Sequence, residues 1–137
     1  MRLLLDTCAV IWLANGDTMS VASLAAIRAA GRTGEVFVSP VAAWEIVLLA
    51  TNPVQPVQFD PDPITWFAHV LVLPGIDLVP LAPEVAIGSS FLPGRLHGDP
   101  ADRLLVATAR RMNAALVTRD AKLLKYGRQG HVRVVAC

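Results

Sequence analysis

The sequence contains little cysteine, few aromatic residues and little charge. Among its 137 residues there are 2 cysteines, and aromatic and charged residues make up 6% and 17%. Cys8 and Cys137 stand alone near opposite ends, which excludes a disulfide framework and a cysteine-based zinc site. Isolated thiols are typical of a reducing, cytoplasmic environment. Because hydrophobic residues make up 54% of the chain, disorder is excluded for most of it.

Long apolar runs are also absent. The longest charge-free stretches, Ile46–Phe59 and Pro63–Ile76, are interrupted by polar residues and proline. They fall short of the ~18 apolar residues that a membrane-spanning helix needs, and Asp6 ends the run Leu3–Leu5 too early for a secretory signal. Mean hydropathy is nevertheless +0.51. This apolar surplus indicates an interface, so we expect a homodimer or a protein partner.

Short apolar runs alternate with helical patterns along the chain. Strands are predicted at Leu3–Leu5, Val36–Val38, Leu78–Val79, Ala115–Val117 and Val132–Val135. Helical segments that begin with Ser, Pro or Asp lie between them, and Asn52–Asp62 is a proline-rich loop. This alternation predicts an α/β fold, a three-layer α/β/α sandwich with a mostly parallel central sheet. The length fits one domain, residues 1–137.

Positive charge is concentrated in the last third of the chain. Nine Lys or Arg residues lie between Arg95 and Arg133, inclusive, opposed by only three aspartates. This distribution fits a surface that binds a polyanion. An ordinary set of solvated helix faces explains it equally well, and the net charge of +1 does not decide between the two.

Three acidic residues lie at or near the carboxyl ends of predicted strands. Asp6 and Asp120 come just after strands, and Glu45 is the only charged residue in the range 36–59. Ligands of open parallel sheets bind at that edge, so these side chains are candidates for one site. Each also has a simpler interpretation, since Asp6 and Asp120 could cap helices and Glu45 could be the polar edge of an amphipathic helix.

Two further aspartates open the strongest helix signal. Asp99 precedes Pro100, and Asp102 lies three residues further on, so the two acids share a helix face. By position Asp99 is a helix cap, and Asp102 suits the helix dipole. The neighbouring His97 could lie near the site, although a solvent-exposed loop is the expected position, and the histidines of the chain show no zinc spacing.

A cluster of these acids would require a cation. Two unit charges 4 Å apart repel by about 4 kcal/mol at an effective dielectric near 20, so grouped carboxylates either protonate or bind a positive ion. Oxygen ligands select Mg²⁺ or Mn²⁺ over zinc. Because Mg²⁺ commonly shares its ligand shell with phosphate oxygens, such a site indicates phosphoryl chemistry.

Four segments together resemble the motifs of PIN domains, and within them those of the toxin subunit of VapBC toxin–antitoxin pairs. The matching segments are Leu3–Thr7, Ser39–Ile46, His97–Ala109 and Leu116–Asp120. An Asp-Thr pair after a strand is a weak signal alone. The Asp-Pro-Ala-Asp-Arg-Leu-Leu segment followed by Val-Thr-Arg-Asp is specific, and the resemblance covers essentially the whole chain.

The resemblance implies a Mg²⁺-dependent endoribonuclease, with Mn²⁺ as the alternative ion, acting as a toxin with a VapB-type antitoxin as its partner. The implied catalytic acids are Asp6, Glu45, Asp102 and Asp120. The implied metal ligands are Asp6, Asp99, Asp102 and Asp120, and the choice between Asp99 and Asp102 stays open. The hydroxyls expected beside the acids are Thr7, Ser39 and Thr118. The cations expected to contact RNA phosphates are Arg103, Arg119 and Lys122.

Other functions remain open. The same acids would serve a DNA nuclease or a phosphatase, since a single sequence carries no signature of 2′-hydroxyl recognition. Alternatively, the chain is mainly a protein-binding module in which Trp12 and Trp66 form a groove for a partner helix. In a simpler interpretation Trp12, Trp44 and Trp66 are ordinary core or dimer contacts, which we prefer for Trp44. Arg103 also has a purely structural interpretation, an ion pair with Asp99 one turn back.

Overall fold

The computed structural model describes residues 1–137 as a parallel sheet with helices on both faces. The strands are β1 (Leu3–Leu5), β2 (Val36–Val38), β3 (Ile76–Leu78), β4 (Ala115–Thr118) and β5 (Arg133–Ala136). The helices are α1 (Thr7–Asn15), α2 (Val21–Gly31), α3 (Pro40–Ala50), α4 (Pro63–Leu71), α5 (Pro83–Gly88), α6 (Pro100–Arg111) and α7 (Ala121–Arg128). No helix combines the length and apolar composition needed to cross a bilayer.

The sheet has the strand order β3-β2-β1-β4-β5, and every neighbouring pair is parallel. In the centre, Leu3 of β1 is in register with Val36 of β2 on one side and Ala115 of β4 on the other. All three leucines of β1 are fully buried, because helices cover both faces of a parallel sheet. The predicted mostly parallel α/β sheet is confirmed.

Two apolar cores lie on opposite faces of the sheet. Alternate residues of a strand point to opposite faces, so Leu3 and Leu5 pack with α1, α2 and α4, whereas Leu4 packs with α6 and α7. Helix α3 lies between the two, since Ala42 belongs to the first core and Val41 to the second. The predicted three-layer sandwich is therefore confirmed.

Most helices begin where the sequence places a capping residue. Aspartate side chains cap α1, α4, α6 and α7, and serine side chains cap α2 and α3. The predicted strand Leu78–Val79 is displaced, because β3 begins at Ile76, which is in register with Val36 of β2. Pairing with β2 therefore decided the bounds of this edge strand, which two apolar residues alone did not define.

Gly75 sits where the chain turns into β3 against the end of α2. Its φ of +81° lies in the left-handed region, and a Cβ there would be 2.4 Å from the carbonyl oxygen of Gly31. Backbone atoms cannot move aside as a flexible side chain can, so only glycine fits this position.

We predict that Gly75→Ala lowers the free energy of unfolding by at least about 3 kcal/mol, because strain and a backbone clash add together. Gly34→Ala is the matched control: its φ is +69° but no atom lies within 4 Å of the added Cβ, so it should cost only about 1 kcal/mol. Urea denaturation of both variants measures the difference. Equal losses would contradict a close approach at Gly75.

Candidate active site

Three adjacent strands and one helix start bring four acids to the carboxyl edge of the sheet. Asp6 directly follows β1, and Asp120 follows β4 after one residue. Glu45 lies on α3, which begins immediately beyond β2, and Asp102 lies in the first turn of α6. Because β2, β1 and β4 are neighbours in the sheet, acids far apart in the chain meet at one edge.

These four acids line one cavity of about 300 Å³, which we call the acidic cavity. Its lining residues are Asp6, Thr7, Cys8, Trp12, Glu45, Asp102, Arg119 and Asp120. A larger cleft of about 780 Å³ lies at the opposite edge, beside the first residues of β4 and β5, and contains no acidic side chain. The concentration of carboxylates is thus specific to the carboxyl edge.

Asp6 and Asp120 cap helices and also line the acidic cavity. Oδ1 of Asp6 accepts a hydrogen bond from the Ala9 amide at 2.8 Å. Oδ1 of Asp120 accepts from the amides of Lys122 and Leu123 at 2.8 and 3.1 Å. The simpler interpretation of both acids as helix caps is therefore correct, and the caps face the same cavity.

The other two acids are held by side chains. Oε1 of Glu45 accepts a hydrogen bond from the hydroxyl of Thr7 at the start of α1. Oδ2 of Asp102 lies 2.6 Å from Nε2 of His97. A neutral or positive donor thus fixes one oxygen of each carboxylate, which keeps the side chains in place despite their like charges.

Burial makes negative charge costly in the acidic cavity. Desolvation raises the pKa of Asp6, and the charges of Asp102 and Asp120 raise it further, against the opposing effect of the Thr118 hydroxyl and the Ala9 amide. Desolvation likewise raises the pKa of Glu45 and of Asp102, and neighbouring acids add to both. A cation in the cavity would remove this cost.

The donor chemistry of the acidic cavity fits a hard divalent ion. The acids supply only oxygen ligands, and the walls contain no histidine. The one soft donor is Cys8, and burial, with the nearby acids, raises the pKa of its thiol to about 11, so it stays neutral and a poor metal ligand. The oxygen ligands are those that Mg²⁺ or Mn²⁺ prefers. As the side chains stand, no three His, Cys, Asp or Glu residues lie close enough to hold one ion. The chemistry and charge of the cavity therefore fit a divalent metal ion, although the acids are not arranged around a single coordination point.

Three of the predicted acids and hydroxyls lie outside the walls of the cavity. Asp99 is exposed and caps α6 through the Ala101 amide at 2.9 Å. Ser39 is buried and caps α3 through the Val41 amide. Thr118 is buried at the end of β4, where its hydroxyl oxygen accepts from the Asp120 amide at 3.1 Å. Of these, Thr118 also acts on Asp6, since its hydroxyl lowers the pKa of that acid.

The predicted cations have different surroundings. Arg119 lines the cavity, with its guanidinium carbon 3.7 Å from the ring centre of Trp12. Arg103 does not line it, because its guanidinium donates to the carbonyls of Ser89 and Leu96 at 2.9 and 3.0 Å. The alternative ion pair between Arg103 and Asp99 is also not formed. Arg103 therefore fixes the loop before α6 instead of presenting a free charge.

Sequence reasoning missed three residues of this site, of which Cys8 lines the cavity. His97, expected in a solvent-exposed loop, is mostly buried because it pairs with Asp102. Trp12, considered as a contact for a partner helix or as an ordinary core or dimer contact, forms part of the cavity wall beside Arg119. The signal for His97 was present, since it lies five residues before Asp102 at the start of a motif, but this spacing also fits a loop residue.

The fold and the site together define a class of protein, the PIN-type α/β sandwich with an acidic cavity. The pattern of the PIN domain family matches residues 3–129, and the chain belongs to this family. Ribonuclease VapC22 of Mycobacterium tuberculosis is 32% identical over 112 residues, covering 82% of this chain and 81% of that protein. The resemblance to VapC-type PIN proteins is thus confirmed.

Solved structures share the fold over nearly the whole chain. VapBC2 of Rickettsia felis, bound to a DNA fragment from its promoter, has a TM-score of 0.69 at 14% identity and covers 99% of this chain and 98% of that chain. FitAcB of Neisseria gonorrhoeae has a TM-score of 0.63 at 19% identity, with 97% and 96% covered. At such low identity the likeness shows the fold alone.

We predict that Asp6→Asn raises the melting temperature of the metal-free protein at neutral pH by a few degrees. The folded pKa of Asp6 is raised, so the folded state binds more protons and stability falls as pH rises above the unfolded pKa. Asparagine removes this charge and still caps α1. Thermal melts from acidic to neutral pH should show the gain growing with pH.

When a divalent ion is added, the native protein should melt at a higher temperature than the Asp6→Asn variant, the reverse of the order without metal. Mg²⁺ should stabilise the native protein more than the Asp6→Asn variant, since the variant has lost one anionic ligand. A variant that is less stable than the native protein at neutral pH without metal would contradict the charge cost assigned to Asp6.

Proposed function

We propose that this chain is a VapC-type toxin, a metal-dependent endoribonuclease that hydrolyses RNA phosphodiester bonds, and that residues 1–137 form one PIN-like domain. The observation that carries the proposal is the meeting of Asp6, Glu45, Asp102 and Asp120 at one cavity. The relative named Ribonuclease VapC22 supports RNA as the substrate. A DNA nuclease or phosphatase would use the same acids and lacks such support.

The proposed ion is Mg²⁺ or Mn²⁺, held by Asp6, Asp102 and Asp120. When bound, the ion would activate a water molecule and stabilise the charge that develops on the leaving oxygen. Asp99 is assigned a capping role, because it is exposed and does not line the cavity. Between Asp99 and Asp102, we therefore favour Asp102 as the metal ligand.

Glu45 is the proposed proton acceptor for the attacking water. Burial raises the pKa of this carboxyl, which brings it closer to the range in which a general base works best. The Thr7 hydroxyl donates to Oε1 of Glu45, and this leaves Oε2 to accept the proton. Thr7 therefore acts as a positioning residue.

The proposed partners are RNA, a VapB-type antitoxin and a second copy of the chain, in the cytoplasm. The antitoxin is supported by two solved structures that share this fold, VapBC2 from Rickettsia felis and VapBC from Salmonella typhimurium, which are toxin–antitoxin assemblies. On α3, Trp44, Val47 and Leu48 form an exposed apolar stripe, which supports an interface on this helix. Trp44, expected in the core or in a dimer contact, is 49% exposed and is therefore not a core residue.

We predict that Asp102→Asn lowers Mg²⁺-dependent RNA cleavage at least about 100-fold, because the ion loses an anionic ligand and the cavity loses charge. The matched control is Asp99→Asn, which keeps a capping oxygen and should cleave within about threefold of the native rate. Initial rates on a labelled single-stranded RNA, with circular dichroism to verify folding, measure both.

Growth of the host offers a second readout for the same pair. Native protein and Asp99→Asn should arrest growth when expressed alone, and co-expression of the neighbouring gene's product should restore it. Asp102→Asn should not arrest growth, with or without that product. If Asp99→Asn abolished cleavage and Asp102→Asn did not, the assignment of the two acids would be reversed.

We predict that Thr7→Val reduces kcat about tenfold with little change in KM, because Glu45 loses the hydroxyl that orients it. Thr7→Ser restores the hydroxyl and should recover most of the activity. A steady-state comparison of the three proteins separates the two parameters. Equal activity of the valine and serine variants would show that the hydroxyl has no part in catalysis.

A further inference from the structure

A second groove lies directly beside the acidic cavity and has the opposite charge. It encloses about 280 Å³, and we call it the basic groove. The residues that matter to its chemistry are Arg95, His97, Lys122, Lys125, Tyr126 and Gln129. No acidic side chain lines it, so its positive charges are not neutralised from within.

Most other cations of the chain are already engaged. Five arginine side chains donate to main-chain carbonyl oxygens, namely Arg2, Arg103, Arg110, Arg119 and Arg133. Arg111 lies 4.0 Å from Glu84. The cations whose side chains have no hydrogen-bond or ion-pair partner are Arg28, Arg32, Arg95, Lys122, Lys125 and Arg128. Half of these uncommitted charges converge on the basic groove.

The two sides of the basic groove are held rigidly. Lys122 and Lys125 are three residues apart on α7, so both side chains project from one helix face. Arg95 comes from the loop opposite, which the Tyr126 hydroxyl fixes by donating to the carbonyl of Pro93. Gly94 has a φ of +65°, and a Cβ there would be 2.4 Å from the His131 ring, so the turn before Arg95 is also constrained.

Two connections join the groove to the acidic cavity. His97 lines the groove and contacts Asp102, which lines the cavity. Lys122 lines the groove two residues after Asp120, and its amide donates to that acid. The groove and the cavity are therefore adjacent, with the His97–Asp102 pair and the start of α7 between them.

We propose that the basic groove binds the phosphate backbone of single-stranded RNA next to the scissile bond, through Arg95, Lys122 and Lys125. This inference rests on the proposed ribonuclease function, since that function supplies the polyanion. It replaces Arg103 and Arg119, whose guanidinium groups donate to carbonyl oxygens, with Arg95 and Lys125 among the cations assigned to RNA. Three unpaired, exposed cations on a fixed frame match the regular negative charge of a backbone better than the single charge of a small anion.

The test is RNA binding by the variant Arg95→Gln, Lys122→Gln, Lys125→Gln. The matched control is Arg28→Gln, Arg32→Gln, Arg128→Gln, which removes the same charge at the remaining uncommitted positions. Each triple is built in the Asp6→Asn protein with EDTA present, so that a short labelled single-stranded RNA is bound but not cut. Fluorescence anisotropy is measured between 50 and 200 mM salt, the range in which phosphate contacts respond strongly.

We expect the groove variant to bind RNA at least about tenfold more weakly than the Asp6→Asn parent, and the control to bind within about twofold. The slope of log affinity against log salt should fall by about 2 in the groove variant, because each phosphate contact to a single strand contributes about 0.7. Equal losses in the two triples would overturn the proposal, since net charge alone would then explain binding.

Cleavage by the same triples in the native background separates this proposal from the ribonuclease function. If the native protein cleaves RNA and the groove variant does so with an unchanged KM, RNA binding by the groove is overturned and the proposed ribonuclease function is unaffected. If RNA binding depends on the groove but the native protein does not cleave RNA, the groove is supported as an RNA-binding site and the proposed ribonuclease function is contradicted. Polyglutamate that competes as well as RNA at equal charge would assign the groove to an acidic peptide instead and overturn the proposal.

Discussion

The constraint on which the rest of the site depends is the cost of holding carboxylates together at one partly buried edge of the sheet, where desolvation is the larger part and mutual repulsion adds to it. An all-parallel sheet brings the ends of β1, β2 and β4 together, and the helices that follow them begin there. Helix starts offer free amides and a positive dipole end, which is why Asp6 and Asp120 tolerate this edge by capping α1 and α7. The remaining destabilisation appears as the raised pKa values of Asp6, Glu45 and Asp102, and a bound cation would relieve it.

Under the proposed function, the acidic cavity and the basic groove divide two tasks. The groove would supply the positive charge that holds a substrate backbone, whereas the cavity would supply the carboxylates that hold a metal and accept a proton. Placing both kinds of charge in one pocket would neutralise them. Apart from Arg119, which lines the acidic cavity, the chain separates the two kinds of charge. His97 and the start of α7 lie between them, with the capping Asp120 on the cavity side and Lys122 on the groove side.

Much of the architecture could be predicted because its signals are local. Buried strands such as Leu3–Leu5 are short runs of apolar residues, and helix starts such as Asp99-Pro100 follow from the capping of free amides. The edge strand β3 was placed two residues late, since its bounds depend on pairing with β2. Likewise, the carboxylates could be named from their positions after strands, but each also had an interpretation as a cap, and the structure shows that both descriptions apply to Asp6.

The sequence by itself therefore determined the order of strands and helices, the fold class and the acids that reach the carboxyl edge, because these follow from short-range patterns. Tertiary structure alone decided which polar groups are free. Arg103 and Arg95 look equivalent in the sequence, yet carbonyl oxygens distant along the chain engage the first and leave the second exposed. Partners of this kind are set by the packing of loops onto helices, which no local pattern encodes.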